Sequence, residues 1–398
     1  VFIQRLHAQN ANSIYSAYGI GDVNIRDINA YSPMGGVGVA LKSERTLNEL
    51  NPASYSGLTN YRHILEIAAI GSSVNYVSAN NNLQATDFNI RRAAFGMNLF
   101  KHVGTVFGIS KYSLVSYQTS GTRSLQGSTT SLDEKIKGSG GINRAFFSNS
   151  LAIGKHLSIG VSTGLLFGSV NKKEIIGFNS SGGIIVDNND YYNHAFINSG
   201  IQYSFKTGKF TWMAGGTYQP AMNLNRQITN QITDLSAVVL KGTTTTNTTF
   251  RYPSQFSGGI SVKRGGSLLA FDYIQQNWKV TGYSGNGFTT TNLKNFALGY
   301  SYTSYKNGPF GKIERASILA GFQHDLSYVI LNGKQVETTA GSLGVNLPGK
   351  SGAFNYTLGV RAGQRGEVAY PLVKEKFVEL TFNISLAGLF YVGGRKYD

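Results

Sequence analysis

Few residues in this sequence could do chemistry, and their spacing argues against catalysis. Gly160-Val161-Ser162-Thr163-Gly164 matches the G-x-S-x-G pattern of serine hydrolases. That chemistry needs a sharp strand-to-helix elbow that exposes the serine. Ser162 instead sits inside an alternating stretch, on its small-residue face, with no helical periodicity after it. In a chain with 49 glycines the match is a chance one. Gly35-Gly36-Val37-Gly38 lacks the strand and amphipathic helix that a dinucleotide fingerprint requires. The six histidines (His7, His63, His102, His156, His194 and His324) form no i, i+4 pair and no cluster with carboxylates. A metal site is therefore not expected. The absence of cysteine removes disulfides, thiolate zinc sites and thiol nucleophiles. The expectation is a protein without an enzymatic centre or a cofactor.

Charged residues that share a parity with small side chains carry more information. Lys263 and Asp272 fall on consecutive alternating segments, as do Arg361 and Glu379. Antiparallel neighbours can pair across a ladder, so salt bridges facing a lumen are expected, with ligand contact as the alternative. Arg144 has the same parity and is a candidate to meet an anionic headgroup. Phe88 and Ile90 precede Arg91-Arg92 in even register, whereas Phe95, Met97 and Leu99 follow in odd register. An extra residue flips the faces of a strand, so a β-bulge is predicted there.

The elements that hold these residues are strands. Phe296, Leu298, Tyr300 and Tyr302 alternate with Asn295, Ala297, Gly299 and Ser301. Val378, Leu380, Phe382, Ile384 and Leu386 alternate with Glu379, Thr381, Asn383 and Ser385. Bulky apolar side chains opposite small or polar ones imply an apolar exterior around a wide or wet interior. About fourteen such segments follow Tyr61, each long enough to cross a bilayer at a tilt, and an even count suits a single-chain bacterial barrel. Composition agrees, with 23 Tyr, 23 Phe and only 7 Pro. Charged residues are 14% of the chain, where about a quarter is usual in soluble proteins. A mean hydropathy of -0.14 fits strands that are apolar on one face only.

The formal charge of +16 is scattered and lacks the basic stripe of a nucleic-acid binder. Loops, lumen lining and contacts with the lipid bilayer and lipopolysaccharide account for it, and no nucleic-acid partner is expected. Polar stretches at 121–141, 171–190 and 225–247 read as extracellular loops, with Lys101-His102 and Lys155-His156 as short turns on the other side. Residues 1–60 differ from the rest. Residues 1–9 read as the remnant of an export signal, and the Gly-, Asn- and Ser-rich stretch after them as a compact irregular segment with a short helix near Ser43 to Leu50. The expected organisation is an N-terminal extension and hatch over 1–60 and an all-β transmembrane barrel over 61–398.

Several stretches, taken in order, resemble the FadL/TodX family of outer-membrane transport barrels in its Bacteroidota-like form. They begin with Ile14-Tyr15-Ser16-Ala17-Tyr18-Gly19-Ile20-Gly21, Met34-Gly35-Gly36-Val37-Gly38 and Asn51-Pro52-Ala53-Ser54-Tyr55. Tyr252-Pro253-Ser254-Gln255-Phe256, Ala270-Phe271-Asp272-Tyr273 and Trp278 continue the series. Leu331-Asn332-Gly333-Lys334, Gly363-Gln364-Arg365-Gly366 and Arg395-Lys396-Tyr397-Asp398 complete it. The resemblance implies fourteen strands around a hatch that contains Asn51, Pro52, Ala53, Gly35 and Gly36. It also implies an outer-membrane location and passive uptake of hydrophobic or amphipathic, fatty-acid-like molecules. These would leave sideways through a gap made by a kink in an early strand, for which Gly104 and Gly108 are candidates. Some relatives in that family are accessory barrels in protein-secretion or barrel-assembly complexes, so the alternative partners are other outer-membrane proteins. An aqueous porin fits less well, because a plug obstructs ion flow.

Overall fold

Where bulky apolar and small polar side chains alternate, the chain forms strand. The structure is a computed structural model. It describes residues 13–26, 28–58, 62–78, 82–100, 102–124, 131–178, 182–285, 287–308, 311–349, 353–368 and 372–389. The expected signal remnant and the closing Arg395-Lys396-Tyr397-Asp398 lie outside the described residues.

Fourteen antiparallel staves make the wall. They are β1 (Arg62–Val77), β2 (Asn82–Phe100), β3a (Val103–Lys111) with β3b (Ser113–Ser124), β4 (Ser131–Ile153) and β5 (Leu157–Phe178). Next come β6 (Gly182–Thr207), β7a (Phe210–Gln219) with β7b (Met222–Asp234), β8a (Val239–Tyr252) with β8b (Gln255–Arg264) and β9 (Ser267–Gln276). The last five are β10 (Leu293–Gly308), β11 (Gly311–Leu331), β12 (Lys334–Pro348), β13 (Phe354–Arg365) and β14 (Lys374–Leu389). The wall closes where β14 pairs with β1, from Lys374 opposite Val77 to Leu389 opposite Arg62. Val378, Leu380 and Phe382 face out, while Asn383 and Ser385 are buried inside. Closure suits a bilayer, because hydrocarbon offers backbone groups no partner.

The bulge falls at Arg91. Ala68 pairs with Arg92 and Ala69 with Ile90, which leaves Arg91 as the extra residue. Its insertion turns Arg92 inward, where the side chain is fully buried.

The polar stretches read as loops are largely strand. β4, β5 and β6 run for 23, 22 and 26 residues, well beyond what a bilayer needs, and their upper parts stand as hairpins past the apolar belt. Most of Asn225 to Asn247 belongs to the β7b–β8a ladder, in which Asn225 pairs with Thr249 and Asn230 with Thr244, and residues 235–238 turn between the two strands. Outside lipid such a hairpin is held by its ladder and by β-branched Thr, so it needs no apolar face.

Residues 13–26 and 28–58 lie inside the barrel, with Ile20, Met34, Val37, Val39, Leu47 and Ala53 buried. The helix expected near Ser43 to Leu50 does not form. Leu47 N–H donates to Glu66 of the wall and Leu47 O accepts from Arg92, so backbone groups a helix would use are engaged elsewhere. Three short 3₁₀ turns form instead, at Ile14–Ala17, Ser32–Met34 and Pro52–Gly57.

Candidate functional site

The hatch is fastened where its tight turns meet the wall. Asn51 caps the turn Pro52–Gly57: its Oδ1 accepts from Ala53 N (3.0 Å), and Pro52 opens the turn with a φ already suited to it. Asn51 Nδ2 donates to Val39 O (2.8 Å) and to Ile201 O of β6 (3.1 Å), so one side chain ties two hatch segments to the wall. Gly35 and Gly36 follow the turn Ser32–Met34 at φ 70° and 68°, a conformation that favours glycine. Ser342 of β12 accepts from Gly35 N (3.1 Å) and donates to Pro33 O (2.9 Å). A side chain on Gly321 of β11 would collide with the Gly35 backbone.

Asp272 serves the hatch and not its neighbour on the wall. Its Oδ2 accepts from Gly38 N (2.6 Å) and Val39 N (3.0 Å). Lys263 pairs across the ladder with Leu268, four positions from the Asp272–Gly259 pair, and lies exposed at the short-turn rim. The two are therefore not brought together. Arg361 and Glu379 are: they are opposed in the β13–β14 ladder and bonded at 2.6 Å, with Arg361 4.8 Å from the Phe377 ring centre. Arg144 points inward, pairs with Glu49 of the hatch, and lies 5.5 Å from the Tyr112 ring centre.

The strongest anchor was not singled out from the sequence. Glu66 of β1 accepts from Arg92, from Leu47 N of the hatch (2.9 Å), from Asn383 Nδ2 (3.0 Å) and from Ser385 Oγ (2.6 Å). Arg92 also donates to Leu47 O, so one buried ion pair holds both backbone groups of a single hatch residue. A lone carboxylate at inward parity between Ile64 and Ala68 was the available signal. Higher up, Glu375 accepts from Ser13 Oγ (2.9 Å) and Ile14 N (2.8 Å), and Arg365 binds Asp22 (2.9 Å).

Above the hatch the lumen is capped by aromatic rings. Trp278 stacks on Tyr328 with centres 4.2 Å apart and meets Tyr252 edge-on at 5.7 Å. Gln276 bonds Tyr252 OH (2.8 Å) and accepts from Trp278 Nε1 (2.8 Å), which satisfies the polar atoms of this cap. Cavities of about 150 and 30 Å³ remain in the lumen among the described residues. Charged side chains line the larger: Arg26, Arg91, Arg361 and Arg365 against Asp22, Asp325, Glu375 and Glu379. Burial lowers the pKa of the Arg26 guanidinium, while Asp272 and Asp325 oppose that shift.

The wall is interrupted beside this cavity. Gly104 and Gly108 lie in β3a and pair regularly with both neighbours: Asn98 and Ser150 for the first, Ala94 and Phe146 for the second. A Cβ on Gly104 would strike the Tyr55 carbonyl, so this glycine admits the hatch. The break comes at Tyr112. Beyond it β3b keeps its pairing with β4 but leaves β2 and pairs with the hatch, Leu114 with Asp22 and Ser113 with Val23. Asn82 to Ile90 of β2 consequently pair only with β1, and a seam separates them and the bulged Arg91 from β3b among the described residues. Across β4, Gly141 at φ 137° leaves room for the Ser113 carbonyl at the turn-in.

The sequence profile of the BamG family matches residues 1–398. The chain belongs to the BamG family. No curated protein matches it. Solved structures similar to this BamG-family chain include the toluene transporter TodX of Pseudomonas putida, at 14% identity and a TM-score of 0.62, covering 93% of this chain and 99% of that one. The toluene transporter TbuX of Ralstonia pickettii aligns at 16% identity and a TM-score of 0.58, over 91% and 99%. A Pseudomonas aeruginosa FadL homologue aligns at 10% identity and 0.55, over 91% and 97%. The fold of this chain is thus that of the FadL/TodX barrels of the outer membrane.

Proposed function

We propose that this chain works as a closed accessory barrel, docked with other outer-membrane proteins in a barrel-assembly or protein-secretion complex. The observation that carries the reading is the sealed lumen. Among the described residues its cavities, of about 150 and 30 Å³, fall short of the roughly 300–1,000 Å³ of ligand pockets, and eight charged side chains line the larger alongside apolar ones such as Ile70, Val74 and Phe377. The BamG family name hints at a barrel-assembly link, which agrees with this reading. Purification in mild detergent tests it: stoichiometric companion proteins are expected, and a lone monomer would overturn it.

A second reading is favoured by the seam between β2 and β3b. On that reading the barrel passes hydrophobic or amphipathic molecules, which enter from the long-hairpin side, contact the hatch, and leave sideways into the bilayer when the hatch shifts. Uptake of a fatty acid by liposomes that contain the purified chain alone would support this reading against the first.

A further inference from the structure

We infer that the open edge of β2, Asn82 to Arg91, is a docking site for a β-strand of another outer-membrane protein. The inference rests on the accessory-barrel reading and specifies the surface it uses. Successive residues of a strand direct their N–H and C=O groups to opposite sides, so half of those in this stretch bond β1 and half face the seam. The edge crosses the lipid-facing belt. Phe88 and Ile90 are 69% and 59% exposed, and they pair with Gly71 and Ala69 of β1. Those two residues in turn oppose Leu380 and Phe382 of β14, both outward and exposed. At that depth hydrocarbon cannot satisfy a row of backbone polar groups, and an open sheet edge facing lipid is not tolerated.

The chain cannot close this seam without tearing out its hatch. β3b is held inward by its pairing with Asp22 and Val23 and by Ser113 Oγ on the Ile20 carbonyl (2.7 Å). Ser116 adds to this: its N–H donates to Ser16 Oγ (3.1 Å), and its carbonyl accepts from Ser13 N (3.4 Å). The missing partner must therefore come from outside, and only another strand offers donors and acceptors at the spacing of a ladder. Its chemistry follows from β2. Opposite Phe88 and Ile90 it carries apolar side chains toward lipid, and opposite Asn82, Gln84 and Thr86 it turns polar.

A second copy of this chain fits poorly. Two copies inserted the same way up would bring β2 to β2 in parallel, whereas every junction in this wall is antiparallel and parallel pairing is slightly weaker per residue.

Amide hydrogen exchange on the complex as purified in mild detergent, against the isolated chain in the same detergent, tests the proposal without any substitution. Seam-facing amides between Asn82 and Arg91 should exchange about tenfold or more slowly in the complex, while those of β13 stay unchanged. Because the chain has no cysteine, single cysteines at residues 84, 86, 88 and 90 can be cross-linked in turn. They should reach successive alternate positions of one partner strand, running the opposite way. Companions that co-purify without protecting Asn82 to Arg91 would overturn the inference and leave the accessory reading standing. Cross-links between two copies would also overturn it, and a chain that purifies alone would overturn both.

Discussion

Replacing Glu66 with alanine should loosen the hatch while leaving the barrel closed on itself. The pair it forms with Arg92 is buried, with side-chain exposures of 0% and 1%. Removing one partner of such a pair leaves an uncompensated charge and costs about 3–5 kcal/mol. The cost falls on the hatch, because Leu47 N–H bonds Glu66 and Leu47 O bonds Arg92. If the loss appears as local opening, the opening equilibrium rises roughly 140- to 3,700-fold, at about 1.4 kcal/mol per factor of ten. Hydrogen exchange at the Leu47 amide reads this directly, and the amides of β13 serve as reference. The double variant Glu66→Leu with Arg92→Met removes both charges and keeps the volume, so its loss of protection should be smaller than that of the single variant, though not nil because Leu47 N–H and O lose their partners. Unchanged exchange at Leu47 in the single variant, or equal loss in single and double variants, would refute the electrostatic argument.

Three further outcomes follow from the same contacts. Asn51→Ala should cost about 0.5–2 kcal/mol through the lost cap, seen as faster exchange at Ala53 N–H with the wall unaffected. Gly321→Val should displace the turn at Gly35, so that Gly35 and Gly36 lose protection while the chain still migrates as a folded barrel in cold detergent gels. Trp278→Ala should destabilise the aromatic cap by about 3–5 kcal/mol, yet leave a planar bilayer silent because the hatch below still closes the lumen.

The wall was legible because lipid imposes a simple rule on every spanning strand. Phe296 to Tyr302 and Val378 to Leu386 declare their faces in period two, and a parity change alone located the bulge at Arg91. Parity gives the face of a residue but not its height. Arg361 and Glu379 turned out level with each other, whereas Lys263 sits at the rim and Asp272 deep in the lumen. The long hairpins escaped because strands in water on both faces carry no apolar alternation, as in Thr243 to Thr246 of β8a. The kink at Tyr112 escaped for another reason: it is set by the pairing of Ser113 and Leu114 with Asp22 and Val23, some ninety residues earlier. Glu66 shows the same limit, since its partners come from β2, β14 and the hatch.

Single-channel recording of the unmodified chain in a planar bilayer bears most directly on the claim that its own N-terminal segment seals this barrel. Insertion without stable openings is the predicted result. A large, steady conductance at modest voltage would mean that Ser13 to Leu58 leave an open path, which the anchored hatch and aromatic cap do not allow.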